Sequence, residues 1–83
     1  MDQPSASEEL DGLLLEAHAR GSRADLVKLY TRAADAKEAA GDVEATCFFL
    51  TQAFIFALES GDEKTADLNM RLVAYGREVP LDG

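Results

Sequence analysis

The stretch that decides the fold is Gly41–Asp62, GDVEATCFFLTQAFIFALESGD. Its interior is apolar: ten of the twelve residues from Cys47 to Leu58 are hydrophobic, and all four phenylalanines of the chain lie there. A Gly-Asp pair stands at each end. Glycine tolerates the left-handed conformation that ends a helix. The aspartate after it offers an oxygen to the free N–H groups of the next helix. The stretch therefore reads as one long apolar helix set between two tight turns.

The same punctuation recurs along the chain. Gly21-Ser22, Gly41-Asp42 and Gly61-Asp62 are each 20 residues apart, and Gly76 precedes Val79-Pro80, where a helix does not continue. Four helices follow, over about 8–20, 23–40, 43–60 and 63–76, with Ser7 as the cap of the first. Residues 1–6 and 77–83 are expected as flexible tails around one domain, 7–76. No proline falls between Pro4 and Pro80, and β-branched residues never alternate with polar ones, so strands are not expected. Such short connections force successive helices to run antiparallel.

Apolar spacing supports the helices. Leu10, Leu13, Leu14 and Ala17 follow the helical period in the first. Leu26, Tyr30, Ala33 and Lys37 share a stripe in the second, and Ala66, Met70 and Val73 do so in the fourth, with Leu68 and Leu72 on its flank. Only the third helix is apolar nearly all round. The many alanines of helices 2 and 3 let helix axes approach closely.

Charge and size narrow the function. Sixteen acidic against eight basic residues give −8, which repels a phosphate backbone and an anionic membrane surface. Residues 1–19 carry Asp2, Glu8, Glu9, Asp11 and Glu16 without a single Lys or Arg. The start lacks the basic residues and apolar run of a signal peptide. Twelve positions, about 18 Å of helix, fall short of a hydrocarbon core near 30 Å, so no membrane span is expected. Cys47 is the only cysteine, consistent with a reducing compartment and a cytoplasmic location. At 83 residues the chain has one modest core, so close packing or a partner must supply stability.

Catalytic chemistry is not expected. His18 is the sole histidine, with Glu16 on another face and Asp11 two turns away. Cys47 has no cation near it in sequence and reads as a packing residue. The glycines are isolated helix stops, not a phosphate loop, and no E-x-x-H pair is present. No cofactor and no metal are expected.

On these residues the chain resembles a tetratricopeptide repeat. The turn and helix AAGDVEATCFFLTQAFIFALESGD carry Gly41, Asp42, Val43, Ala45, Leu50 and Ala53 in that style. ESGDEKTADLNMRL repeats it with Gly61, Asp62, Ala66 and Met70; the resemblance spans residues 26–74. It implies two stacked helical hairpins that bind a peptide or helix in a groove. An ordinary up-down four-helix bundle is the alternative architecture. An array of about three repeats is usually needed for stability, so a chain this short depends on caps, self-association or a host protein.

Two large residues do not fit the core arc of helix 3. Phe48 and Ile55 are seven apart and fall on its polar face, among Glu44, Thr51, Gln52 and Glu59. Either helix 1 folds over them, or they form an open patch. Phe48, Ile55, Gln52 and Tyr30 are thus the candidate partner contacts. The function expected is protein–protein binding, as an adaptor or as a small accessory subunit of a larger enzyme or complex. A small-molecule or thiol redox-sensing bundle around Cys47, and a homodimeric bundle, are the alternatives.

Overall fold

The computed structural model describes residues 6–81 and is all-α, with four helices: α1 (Ala6–Arg20), α2 (Arg23–Ala39), α3 (Val43–Ser60) and α4 (Thr65–Ala74). The glycine joints act as the sequence suggests. Gly61 ends α3 at φ 64°, and the Asp62 N–H donates to Ala57 O (2.9 Å) while the Gly61 N–H donates to Leu58 O. This paired bonding satisfies carbonyls that a helix end leaves open. The same pattern closes α1, α2 and α4, where Ser22 N reaches Ala17 O, Asp42 N reaches Lys37 O and Arg77 N reaches Leu72 O. Ser22 and Asp42 then cap the next helix, accepting from the N–H groups of Asp25 and Ala45.

Two helix starts differ from expectation. α1 already runs at Ala6, so Ser7 lies inside its first turn and is not its cap. Asp62 does not cap α4: its carboxylate accepts from the Lys64 N–H two residues on (2.8 Å), which makes a separate turn and delays the helix to Thr65.

The helices form an open row. α1 packs on α2, α2 on α3 and α3 on α4, whereas α1 and α4 do not meet. The ring closure of an up-down bundle is therefore absent. The core lies on both sides of the α2–α3 seam. One cluster joins Val27 and Ala34 to Leu50, Ala53, Phe54 and Ala57, and then to Leu68 and Leu72. The other joins Leu14 and Ala17 to Leu26 and Leu29. On α4 the flank is the core: Leu68, Asn69 and Leu72 are buried, while Met70 is 59% exposed. Leu13 and Leu58 likewise face solvent.

α3 is the central helix. Counted from Val43 it has 18 residues of mean hydropathy 1.3, long and apolar enough by composition alone to cross a membrane. The twelve-position count from Cys47 understates its length. In the fold it serves as core, with α2 and α4 packed against it.

The chain after α4 does not hang free as far as Leu81. Asn69, 2% exposed, donates from Nδ2 to Val79 O (3.0 Å) and accepts at Oδ1 from the Leu81 N–H (3.1 Å). Arg77 reaches Glu44 at the start of α3 (2.7 Å). Residues 77–81 thus form a strap across α4 and α3. Residues 1–5, 82 and 83, expected in the tails, lie outside the described residues.

Candidate interaction surface

Phe48 and Ile55 are exposed, at 58% and 43% of their surface, on the side of α3 turned away from α2 and α4. α1 does not cover them; it packs along α2 and meets α3 only through side chains such as Phe56. Seven residues at 1.5 Å rise set Phe48 and Ile55 about 10 Å apart on one line. Gln52 and Thr51 sit half-buried between them. The Thr51 hydroxyl donates back to Cys47 O (2.8 Å) and is satisfied within α3. Each end of the stripe carries a carboxylate already matched by an arginine from another element. Glu44 pairs with Arg77 (2.7 Å) and Glu59 with Arg23 of α2 (3.2 Å). Glu44 in turn raises the pKa of the Arg77 guanidinium above its ordinary value, chiefly by the hydrogen bond it accepts.

Tyr30 is not part of this stripe. It points into the α1–α2–α3 junction, where its ring stacks on Phe56 (centroids 5.9 Å apart) and Phe49 (6.1 Å). His18 Nε2 lies 2.9 Å from its hydroxyl, and the His18 ring meets Tyr30 and Phe56 edge-on. The wheel of α2 alone could not reveal this, because the partners come from α1 and α3. Phe49 links the two regions, since Phe48 meets it edge-on at 5.3 Å.

Comparisons with family models, curated proteins and solved structures give no match.

Beside the ring cluster a cleft of about 330 Å³ opens between α1 and α2. Leu10, Asp11 and Leu14 form one wall, Ala33, Ala36, Lys37 and Ala40 the floor, and Phe49 one edge. The alanines at this end of α2 do not draw α1 close; they leave the floor low. The cleft was not legible in the sequence, because alanines are expected to bring helix axes together, whereas Ala36 and Ala40 here are exposed.

Cys47 is buried, 2% exposed, in the wall of a second hollow lined by Glu44, Phe48, Thr51 and Arg77. The sequence places no cation near it; the strap brings Arg77 there from 30 residues away. Among the described residues no group of three or more His, Cys, Asp or Glu side chains is placed to hold a metal.

Proposed function

We propose that the protein is a non-catalytic, tetratricopeptide-like interaction module that works in the cytoplasm as an adaptor or accessory subunit of a larger complex. One observation carries this reading: Phe48 and Ile55 stand in solvent on α3, with Gln52 between them and neutralised carboxylates at either end. A small protein that leaves a phenylalanine and an isoleucine side by side in water gains by covering them. An apolar centre with a polar rim is the anatomy of a contact patch. The aromatic cluster supports a binding role over a catalytic one, because it commits the His18 ring nitrogen to the Tyr30 hydroxyl. The partner is protein, in keeping with the net charge of −8, and neither nucleic acid nor membrane.

The test is a capture experiment from native extract with wild type and Phe48→Ala/Ile55→Ala side by side. One specific large protein retained by wild type and lost with the variant supports the reading. Equal capture by both removes the stripe from the account. Circular dichroism should be unchanged, since both side chains are exposed.

A second reading is favoured by the cleft, whose volume lies at the lower end of the range for small-molecule sites. An apolar ligand there would contact Leu10, Leu14 and Phe49. Quenching of Tyr30 fluorescence by such a ligand, lost on Ala36→Leu, would identify it.

A further inference from the structure

We infer that the groove of α4 around Asn69 is a site for an extended polypeptide main chain, plugged by the chain's own residues 79–81 and open by exchange to a partner's segment of the form apolar–Pro–apolar. This goes beyond the α3 surface and does not depend on it. Asn69 is buried and spends both halves of its amide on the strap, donating from Nδ2 to Val79 O (3.0 Å) and accepting at Oδ1 from the Leu81 N–H (3.1 Å). A carbonyl and an N–H two residues apart lie on one edge of an extended chain, because successive residues turn to opposite edges. A side-chain amide carries one acceptor and one donor group to match them. Asn69 therefore reads main chain, and any extended segment with that edge free presents the same two groups. Pro80 stands between them, its fixed φ keeping the segment extended, and its missing N–H falls on the far edge, where no bond to Asn69 is lost.

The strap's own side chains add little to this hold. With the strap docked, Val79 is still 71% and Leu81 52% exposed. A hollow of about 280 Å³ remains between Pro80 and Leu81 and the α4 residues Ala66, Asn69 and Met70. Met70, itself exposed, gives that hollow a soft apolar wall. The strap thus fills the main-chain half of the site and leaves the side-chain half under-filled. A segment in trans whose apolar side chains reach Ala66 and Met70 gains burial that the strap forgoes. The two bonds alone favour the docked strap by roughly 5- to 160-fold, a preference that an incoming segment can overcome. Exchange also leaves the helices in place. Arg77 stays with the fold, its N–H on Leu72 O (2.9 Å) and its guanidinium on Glu44, so only residues 78–81 need swing away. A buried amide stripped of the strap needs new partners, and the incoming main chain supplies them.

The test adds a synthetic peptide with the sequence of residues 77–81, blocked at both ends, to the whole chain and follows two signals by NMR. The Leu81 backbone amide should move to a free-chain position as peptide is added, with its midpoint in the millimolar range expected for competition with a tethered segment. The Asn69 side-chain amide should keep its bonded position, because one main chain replaces another. Leu81→Pro removes the strap's own donor and lies outside the helices, so this variant should take the peptide roughly 2- to 13-fold more tightly than wild type. The same peptide N-methylated at its leucine, which lacks the donor, should bind roughly 2- to 13-fold more weakly. Asn69→Leu, which keeps a side chain of similar size in the buried position, should take none while its far-UV circular dichroism stays that of wild type. No response of the Asn69 amide in Leu81→Pro at tens of millimolar peptide overturns the proposal. So does equal affinity for the N-methylated peptide, or binding that survives in a folded Asn69→Leu. None of these outcomes bears on Phe48 and Ile55, which stand on another helix.

Discussion

Replacing Asn69 with aspartate turns the strap after α4 into a pH-controlled element. Asn69 holds the strap by donating to Val79 O and accepting from Leu81 N. Each such bond contributes about 0.5–1.5 kcal/mol net, so the pair contributes about 1–3 kcal/mol to docking. An ionised aspartate at this position keeps the acceptor but sets a second oxygen against Val79 O. The site is also 2% exposed, so the carboxylate loses hydration there. A lost bond of about 1 kcal/mol plus a desolvation penalty of about 1–3 kcal/mol equals or exceeds the whole docking term, and the strap should detach at neutral pH. Burial raises the docked pKa of the new acid above its free value. Its contribution is therefore present below the free pKa and lost as pH rises through the docked one. Protonated, the group again donates to Val79 O and accepts from Leu81 N. The Leu81 amide resonance reads this directly: in Asn69→Asp it should move to a free-chain position at about pH 7 and return toward the wild-type position at about pH 3. A Leu81 shift that stays at the wild-type value across this range would refute the assignment of Asn69 as the anchor.

Leu50 is fully buried between α2 and α4, so Leu50→Ala should cost about 2–5 kcal/mol in urea unfolding, while Leu15→Ala on the exposed face of α1 should stay within about 0.5 kcal/mol. One substitution should act with opposite signs at two glycines. Gly12→Ala, inside α1 with open space at its Cβ, should stabilise by about 0.5–1 kcal/mol, and Gly61→Ala, at φ 64°, should destabilise by about 1–2 kcal/mol, both read from thermal midpoints. The Asp25 carboxyl lies below its ordinary 3.8, chiefly through the hydrogen bond from Arg20 and next through Ser22. Its contribution is present above the unfolded pKa and lost as pH falls through the folded one, and Arg20→Ala should raise the Asp25 midpoint in an NMR titration. Tyr75 donates to Glu38, which raises the phenol pKa, so alkali should remove that α2–α4 link only above the ordinary tyrosine range, and Tyr75→Phe should abolish the dependence.

What the sequence made legible was local. Each Gly-Ser or Gly-Asp joint encodes its own turn through φ and one side-chain oxygen, and α3 was bounded to the residue. α4 was not, because Asp62 had two backbone N–H groups within reach and bonded the nearer, that of Lys64. The stripe at Phe48 and Ile55 was also legible, since one helix wheel is enough to find an apolar residue on a polar face. Tyr30 and the strap were not, because each depends on elements brought together only by packing. Tyr30 takes its ring contacts from α1 and α3, and the strap depends on a hydrogen-bond anchor. A signal for that anchor did exist: Asn69 stands between Leu68 and Leu72 on the buried face of α4, and a buried amide needs partners. Arg77 near Cys47 follows from the same strap and had no local trace.

The open row also dictates how the molecule comes apart. Backbone contact runs only between helices adjacent in sequence, so no loop of long separation must close before the fold is gained. Cooperativity then passes from neighbour to neighbour as in a short one-dimensional chain. The α2–α3 hairpin, which carries both core clusters, is the keystone. α1 and α4, each held only against that hairpin and not by one another, can open without unfolding it. Amide exchange should accordingly be slowest at Leu50 and Ala53 and quicken toward both ends, so that whatever covers the ends or the face of α3 adds most of its stability where the isolated chain has least.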